Sequence, residues 1–460
     1  MNRFINRHFG KVIYLLYFLC ELFVLKQGMG EGLFPPPAAG TDQLSTLQGV
    51  GSVFAGNLPG ISYHYSFSYT AFLSIAALVA RENLIAMRIL QAAVCALIPV
   101  VVYRTARLMR LGKHVGQISA FLYFFYAPAL LISLDFLRAG PLALTFSLTV
   151  YFIALGCWTG KNRWFAFAGI FGALCVLGRE TFLFVGMVPL LFCLFPKIRK
   201  SLSKKASAVY TAALLIPVLG VVVFHFVVYG TLRINIPLDN IDGVGEGTGN
   251  IFVLYMRHLS SRFFDFVSSY ELPNSLSVYA HQEMIPFLGM FLVPFNVLVA
   301  LWLIGLWYNR TNRLFLLTTG MVCVFVGTMM HFEIFYRYRI PVVPLIAILA
   351  GAGIMALYRW WRRREYWRLT LSLLFMTVFI AMTWVNPDSR RTFNERAAVS
   401  RLLIENKHYA KAEDYLWRMA GDGYAKQIRP GVILLVQRLL ADGEKARAEE
   451  VAGRFNRVLP

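Results

Sequence analysis

Charged side chains are scarce in this sequence: only 15% of its 460 residues are Asp, Glu, Lys or Arg, against 58% hydrophobic residues. Soluble globular domains carry about 25% charged residues, so the composition excludes that class and indicates a polytopic membrane protein. The formal net charge of +21 does not indicate nucleic-acid binding. Lys and Arg stand in short clusters between apolar runs, as the positive-inside rule expects.

Paired cysteines and nucleotide-binding motifs are missing as well. The six cysteines lie inside apolar runs without a CxxC pair, so they predict neither a disulfide framework nor a metal site. There is no P-loop and no GxGxxG segment after a strand, so no nucleotide cofactor is expected. The sequence predicts no certain cofactor, and it leaves a divalent metal open without indicating one.

Long apolar runs recur along the chain from its first residues to about residue 385. A helix needs about 20 mostly apolar residues to cross a bilayer. The candidate spans are residues 11–28, 84–103, 114–133, 139–158, 163–179, 181–196, 207–229, 286–307, 314–331, 340–358 and 369–385. The predicted fold is therefore an all-α polytopic membrane protein with about 11 transmembrane helices. The basic start of the first run is typical of a secretory signal, but no small-residue cleavage site follows, so we expect a retained helix, with cleavage as the alternative.

The apolar run at residues 68–80 is short, and charge decides its placement. If it crossed the membrane, the basic loop at residues 104–113 would lie outside, against the usual bias. As a helix in the outer interface, it leaves every basic cluster on one side. This threading predicts a multi-pass protein of the cell (inner) membrane, with a cytoplasmic N-terminus and a C-terminus on the outside or periplasmic face.

Two long outer loops, residues 29–83 and 230–285, belong to a predicted transmembrane domain of residues 1–386. The second loop is glycine-rich and then amphipathic, which suits a movable lid, with an ordinary surface loop as the alternative. Residues 387–460 have the composition of a soluble helical domain, and two turn segments in them resemble tetratricopeptide units. This tail could bind a protein partner; a small helical domain without binding function is the alternative.

Charged residues gather where the predicted spans reach the outer face. They are Arg88, Asp135, Arg138, Arg179, Glu180, Glu333, Arg337 and Arg339. Snorkelling and local ion pairs explain many such residues, but they predict no preference for the outer ends of several spans. A site for an anionic lipid head group does predict that preference, because guanidinium groups bind phosphate in a bidentate manner. Tyr336 and Glu333 are expected to order the arginines or a sugar.

If a sugar were linked through that phosphate, its transfer would need a carboxylate to accept the proton of the attacking hydroxyl. Asp42 lies in the first outer loop and is the candidate catalytic residue. Arginines near the leaving phosphate would stabilise the charge that develops on it.

Several segments together resemble a known family. They are Asp42 in the first loop, "ARENLIAMRILQAAV" with Arg88, "LGRETFLFVGMVPLLF", "YELPN" and "RYRIPVVP". The chain resembles the GT-C integral-membrane glycosyltransferases, in the branch of the dolichyl-phosphate-mannose protein mannosyltransferases and the lipid A aminoarabinose transferase. The resemblance implies transfer of a sugar from a polyprenyl-phosphate donor to a glycan, lipid or protein acceptor on the outer face. It also implies that Glu271 and Asn274 of "YELPN" contribute to substrate binding. One departure is Gln43, where protein mannosyltransferases commonly show Glu after the Asp.

Three rival functions remain open. An O-antigen polymerase or ligase is also polytopic, but an acidic loop residue before an interfacial helix favours the transferase. A transporter would show internal symmetry and ionisable groups at mid-membrane, whereas the polar residues here gather at the outer face. A scaffold that presents the helical tail is the non-enzymatic alternative. The expected partners are thus the lipid-linked donor, an acceptor, membrane lipid and a protein at the tail, with no nucleic acid.

Overall fold

The computed structural model describes residues 2–30, 34, 42–56, 66–193, 203–229, 251–271, 278–291, 293–332, 334–385 and 393–457. Within these residues every assigned element is helical, which confirms the predicted all-α class. The first helices are α1 (Asn2–Gly30), α2 (Asp42–Phe54), α3 (Phe67–Ala80), α4 (Leu84–Cys95), α5 (Ile98–Leu108), α6 (Lys113–Phe124), α7 (Ala127–Leu134), α8 (Ala139–Thr159), α9 (Asn162–Gly178), α10 (Phe182–Cys193) and α11 (Lys204–Tyr229). They are followed by α12 (Ile251–Val267), α13 (Val278–Met284), α14 (Phe295–Tyr308), α15 (Arg313–Met329), α16 (Tyr336–Arg339), α17 (Val343–Arg362), α18 (Tyr366–Thr383), α19 (Phe393–Glu405), α20 (Tyr409–Met419), α21 (Arg429–Ala441) and α22 (Lys445–Asn456).

Several of these helices are long and apolar enough to cross a bilayer, so the chain is a multi-pass membrane protein. Six helical segments in the described chain meet this standard: His8–Gly30, Leu84–Leu108, Ala139–Thr159, Lys204–Phe224, Val343–Arg362 and Tyr366–Thr383. Shorter apolar helices are Phe67–Ala80, Asn162–Gly178, Phe182–Leu191, Phe295–Tyr308 and Arg313–Met329. The number of spans and the interfacial position of α3 stay predictions.

As in the run at 84–103, which is divided between α4 and α5, the structure breaks two further candidate spans. The run at 114–133 forms two helices, because α6 ends at Phe124 and Pro128 lies in the first turn of α7, where a missing N–H is tolerated. The run at 286–307 is helical in its second part, since a 3₁₀ turn at Pro286–Met290 precedes α14, which begins at Phe295. In both places an unbroken apolar run conceals a break in the helix.

The interior of the membrane-spanning part depends on close contact between α14 and α17. A Cβ atom at Gly353 would collide with the carbonyl oxygen of Leu301, and one at Gly305 would collide with that of Leu349. Small residues at such a crossing allow two backbones to approach closely, which is how helices associate in lipid. The contact holds α17 deep in the bundle, where Leu345 is fully buried.

A small apolar cluster fixes α2 beside α3. Val50 of α2 packs with Tyr69, Leu73 and Ala77 of α3 and with Phe136. Because Val50 lies in the second half of α2, this packing anchors that part of the helix. The first turn of α2, which carries Asp42, is held by polar contacts described below.

The chain divides into two compact units. Unit 1 comprises Met1–Leu22, Pro37–Tyr270 and Phe291–Trp384, and unit 2 comprises Phe23–Pro36, Glu271–Met290 and Val385–Pro460. The predicted boundary between residues 386 and 387 remains a prediction.

Within unit 2, the helices α19 to α22 share one apolar core. Leu403, Leu416, Leu435 and Phe455, one from each helix, belong to this buried cluster. The turns before α20 and α22 contain Lys407 and Gly443, both with positive φ. The tetratricopeptide character of this tail and its protein partner stay predictions.

Candidate functional site

The ends of several helices in unit 1 meet around one cavity of about 340 Å³. Its described lining residues are Asp42, Ser45, Thr46, Ser66, Phe136, Leu137, Arg138, Ala139, Leu142, Arg179, Arg337, Tyr338 and Pro341. They come from the start of α2, the residue before α3, the connection from α7 to α8, the residue after α9 and the turn before α17. Segments that are far apart in the sequence therefore supply one carboxylate and three arginines to one cavity.

Asp42 and Arg337 form an ion pair across 295 positions of the sequence. The Nη1 atom of Arg337 donates to Oδ2 of Asp42 at 2.5 Å. The Asp42 side chain is 66% exposed and that of Arg337 15% exposed, so the carboxylate remains open to the cavity. Asp42 also begins α2, where the helix dipole stabilises a negative charge.

Arg138 and Arg179 bring two further positive charges to the cavity. Nη1 of Arg138 donates to the carbonyl oxygen of Gly178 at 3.0 Å, which connects the start of α8 with the end of α9. Arg179 is 9% exposed, and its guanidinium lies 4.1 Å from the ring centroid of Tyr338, at the distance of a cation–π interaction. Both guanidinium groups are thus held by the protein frame.

Burial, reinforced by the charges of neighbouring arginines, destabilises the charged forms of Arg138 and Arg179. Burial, together with the charge of Arg138, lowers the pKa of Arg179 to about 10. Burial also lowers the pKa of Arg138, partly offset by the charge of Glu180 and reinforced by that of Arg337. All three guanidinium groups stay positive at neutral pH, so an anion that entered the cavity would relieve their mutual repulsion.

Tyr338 is a polar link between two of the arginines. Its hydroxyl accepts a hydrogen bond from Nη2 of Arg337 at 3.3 Å, while its ring faces Arg179. Although burial acts in the opposite direction, the charges of Arg337 and Arg179 lower the pKa of the Tyr338 phenol. For Arg337, burial is outweighed by Tyr338 and Asp42, which raise its pKa.

Arg339 and Tyr336, predicted to serve the same site as Arg337, are absent from the described lining of the cavity. Arg339 is fully buried and Tyr336 is 6% exposed. Nη2 of Arg339 donates to the backbone carbonyl of Asp265 and to Oγ of Ser268. Successive residues of an α-helix are about 100° apart, so the side chains of Arg337 and Arg339 leave the helix in directions about 160° apart and cannot both face one cavity.

Asp135 and Arg88 also lie beside the described cavity lining and not in it. The Asp135 carboxylate accepts hydrogen bonds from Nε2 of Gln43 at 2.7 Å and from the backbone N–H of Phe136 at 3.0 Å. Burial raises the pKa of Asp135, and the charge of Arg88 opposes that change. Nη1 of Arg88 donates to the carbonyl of Leu134 at 3.0 Å. The described contacts give both residues a role in holding the connection from α7 to α8.

The other predicted site residues fall in different places. Glu180 follows Arg179 and acts electrostatically on Arg138 and Arg179. Glu271 belongs to unit 2, is buried, and donates its backbone N–H to the Tyr279 hydroxyl at 3.0 Å. Asn274 and Glu333 lie outside the described residues. In the part of the chain that the structure describes, no group of three or more His, Cys, Asp or Glu side chains is placed to hold a metal ion.

Sequence reasoning missed Tyr338 and Gln43. Tyr338 stands between two candidate arginines in "RYR", so its position next to both of them marked it as a candidate. Gln43 directly follows Asp42, and the contact with Asp135 joins two loops that no sequence spacing relates. The first residue had a signal in the sequence and the second had none.

Part of the chain that contains two of the cavity arginines matches a known protein family. Residues 66–225 match the dolichyl-phosphate-mannose-protein mannosyltransferase family. The match confirms the predicted resemblance to the GT-C glycosyltransferases and the predicted enzyme class, a membrane glycosyltransferase. Arg138 and Arg179 lie inside the matched stretch, whereas Asp42 and Arg337 lie outside it.

Several solved structures are similar to the chain at low identity. ArnT from Cupriavidus metallidurans shares 13% identity in the apo state, with 97% of this chain and 77% of that chain covered and a TM-score of 0.46. The same protein bound to undecaprenyl phosphate shares 14% identity over 96% and 77% of the two chains, with a TM-score of 0.48. The archaeal oligosaccharyltransferase AglB from Archaeoglobus fulgidus, in complex with an inhibitory peptide and a dolichol-phosphate, shares 12% identity over 88% and 59%, with a TM-score of 0.44. No curated protein matches the chain by sequence comparison.

Proposed function

We propose that this membrane glycosyltransferase moves a sugar from a polyprenyl-phosphate donor to an acceptor hydroxyl on the outer face of the membrane. The observation that carries the proposal is the cavity that combines the Asp42 carboxylate with Arg138, Arg179 and Arg337. A cavity with three guanidinium groups favours an anion such as a phosphate, and an accessible carboxylate beside it can accept a proton.

In the proposed reaction, the acceptor oxygen attacks the anomeric carbon of the sugar as the bond from that carbon to the phosphate oxygen breaks. Asp42 accepts the proton of the acceptor hydroxyl. The electron pair of the broken bond remains on the lipid phosphate, whose additional negative charge is stabilised by the arginines. A single displacement of this kind inverts the configuration at the anomeric carbon.

Arg337 connects the two halves of this reaction. Its guanidinium bonds Asp42 in the structure and lines the cavity that would hold the phosphate. A donor phosphate would compete with Asp42 for Arg337, because both are oxyanions that prefer the same planar donor groups. Donor binding would thereby release Asp42 from Arg337. The carboxylate would become available as a base only when a sugar donor is bound.

The placement of this cavity on the outer face is part of the proposal. It rests on the basic clusters that follow the predicted cytoplasmic ends of the spans, such as 104–113 and 359–368. Arg138 follows α7 and Arg179 follows α9, on the opposite side from these clusters in the predicted threading. The inner membrane, a cytoplasmic N-terminus and an external C-terminus belong to the same proposal.

The test is the substitution Asp42→Asn in cells that otherwise lack the chain. Envelope glycans, glycolipids and glycoproteins are compared by mass spectrometry between cells with the wild-type chain, the variant and no chain. General-base catalysis contributes about 10²- to 10⁴-fold, so Asp42→Asn should lose the glycan product that the wild-type chain restores. The purified variant should still bind undecaprenyl phosphate.

The matched control is Glu82→Gln, because it makes the same change from carboxylate to amide at an exposed position outside the cavity. It should form the wild-type product. Full product from Asp42→Asn would refute Asp42 as the base and would favour a transporter or a scaffold. A variant that neither forms product nor binds undecaprenyl phosphate would show a general loss of the site.

A further inference from the structure

We propose that Asp135 and Gln43 form a positioning pair that sets the location of Asp42, a role that rests on the proposed function of Asp42 as the base. Nε2 of Gln43 donates to Oδ2 of Asp135 at 2.7 Å. Gln43 follows Asp42 in the first turn of α2, and neither Gln43 nor Asp135 is among the described residues that line the cavity. The pair therefore acts on Asp42 through the helix and not through the substrate.

Asp135 is itself held firmly, which makes it a suitable fixed point. Its second carboxylate oxygen accepts the backbone N–H of Phe136 at 3.0 Å. Nε2 of Gln91 donates to the carbonyl oxygens of Asp135 and Ser133, at 2.5 and 3.0 Å. The hydroxyl of Tyr69 donates to Oε1 of Gln91 at 2.9 Å. A chain of hydrogen bonds from α3 and α4 thus orients the Asp135 carboxylate towards α2.

The pair complements the apolar anchor at the other end of α2. Val50 packs with Tyr69 and Leu73, and Leu47 packs against the same cluster. The two residues lie eight and five positions from Asp42, about 12 and about 7.5 Å along a helix at 1.5 Å per residue. Apolar contacts at these distances constrain the position of Asp42 only indirectly. The hydrogen bond from Gln43 to Asp135 fixes the first turn directly.

The pair is most important once a donor phosphate has drawn Arg337 away from Asp42. In that state Asp42 loses its ion pair, whereas the bond between Gln43 and Asp135 does not involve Arg337. A base must be within about 3 Å of the proton that it accepts, and a misplacement of about 1 Å can cost about 100-fold in rate. The pair would keep the released carboxylate in reach of the acceptor.

The chemistry of the pair explains why an amide suits position 43. The Gln43 amide supplies the N–H that Asp135 accepts, whereas a glutamate would place a second carboxylate against Asp135. Two like charges at such a distance repel each other. Position 43 and position 135 should therefore tolerate one carboxylate and one amide in either order, because an amide at 135 could donate to a carboxylate at 43.

This exchange provides the experiment. Gln43→Glu, Asp135→Asn and the double variant are compared in cells that lack the chain, with the product measured by mass spectrometry. Gln43→Glu should reduce product formation by about 30- to 100-fold. Asp135→Asn should cost about threefold, since two amides can still form a hydrogen bond. The double variant should recover to within about threefold of wild type, because donor and acceptor have only exchanged places.

Two measurements separate positioning from a general loss of structure. Undecaprenyl phosphate titrated into each purified variant should bind with wild-type affinity, since Arg138, Arg179 and Arg337 are unchanged. Gln48→Glu is the matched control, because it makes the same change at an exposed position of the same helix; it should form wild-type product. If Gln43→Glu fails to bind undecaprenyl phosphate, Gln43→Ala replaces it and should show the same loss of product with intact binding.

The outcomes distinguish this inference from the proposed function. A double variant no more active than Gln43→Glu would overturn the positioning pair, even if Asp42→Asn is inactive. Full activity of Asp42→Asn would instead refute the function on which the pair rests. Loss of undecaprenyl phosphate binding in Gln43→Ala would also overturn the inference, because the pair would then support the whole cavity.

Discussion

The two sides of α16 place arginines in opposite surroundings. On the cavity side, Arg337 faces the accessible carboxylate of Asp42. On the core side, Arg339 is fully buried and bonds the Asp265 carbonyl and Ser268, with the Phe295 ring 4.8 Å from its guanidinium carbon. The two arginines are only two residues apart, but their partners differ. A ligand can replace the partner of Arg337, whereas the partners of Arg339 belong to the protein interior.

This difference shows that an arginine cluster in a sequence does not define a phosphate site by itself. A guanidinium that is fully buried and bonded to a backbone carbonyl and a hydroxyl contributes to the fold, and removing it loses hydrogen bonds in the protein interior. A guanidinium at a cavity wall, paired with a single carboxylate, can exchange that partner for a phosphate. We therefore propose Arg337, Arg138 and Arg179 as the phosphate-binding residues and assign Arg339 to stability.

The largest effect is expected from Arg339→Ala, which tests the core side. The variant loses the hydrogen bonds to Asp265 and Ser268 and leaves a void beside Phe295. Together these changes should cost about 3–4 kcal/mol of unfolding free energy. Thermal unfolding of the detergent-solubilised protein should show a clearly lower midpoint. An unchanged midpoint together with lost undecaprenyl phosphate binding would show that Arg339 binds the phosphate and does not stabilise the core.

Arg337→Ala tests the cavity side with the same chemical change. Hydrogen bonds to charged groups contribute about 1.5–3 kcal/mol, and 1.4 kcal/mol corresponds to a tenfold change in affinity. The variant should therefore bind undecaprenyl phosphate about 10- to 100-fold more weakly. Its unfolding midpoint should stay near that of wild type, because Arg337 is partly exposed and its ion pair lies at the cavity wall. A large loss of stability with intact binding would contradict the comparison.

The sequence identified part of the site from charged residues in the first outer loop and at the ends of apolar runs, although Arg88, Asp135 and Arg339, predicted on the same grounds, are absent from the described cavity lining. Asp42, Arg138, Arg179 and Arg337 were all predicted as site residues, and the cavity brings them together. Charges are costly in lipid, so they stand out at the ends of spans without knowledge of the fold.

The remaining assignments depended on geometry that the sequence does not contain. The four residues of α16 are too few to show a helical period, so the opposite directions of Arg337 and Arg339 were not visible. The break between α6 and α7 does not show in the hydrophobic pattern, because the residues around Pro128 are apolar whether the helix continues or is interrupted there. The bond between Gln43 and Asp135 joins segments 92 positions apart, and only the packing of α2 brings them into contact.

A smaller effect, dependent on pH, is expected from Arg179→Lys on the cavity side. Burial and the charge of Arg138 lower the pKa of Arg179 to about 10. A lysine, whose ordinary pKa is about 10.4, should have its pKa lowered by the same burial and the same neighbouring charge, and so lose its proton at a lower pH than the arginine does. Because the charged form is the protonated one, the variant loses its positive charge as the pH rises. Undecaprenyl phosphate binding should then weaken about tenfold between pH 7 and 9, while the wild-type protein changes little over that range.

The smallest effect is expected at Tyr338, where the two components of one contact can be separated. Tyr338→Phe removes the hydroxyl that accepts from Arg337 at 3.3 Å but keeps the ring 4.1 Å from the guanidinium of Arg179. It should weaken undecaprenyl phosphate binding by about two- to threefold, since a long hydrogen bond contributes about 0.5 kcal/mol. Tyr338→Leu also removes the ring, and a cation–π interaction contributes about 0.5–2 kcal/mol, so the loss should reach about tenfold. Equal losses in the two variants would show that the hydroxyl alone orders the arginines. Wild-type binding in both would show that Arg179 is held on the cavity side without Tyr338.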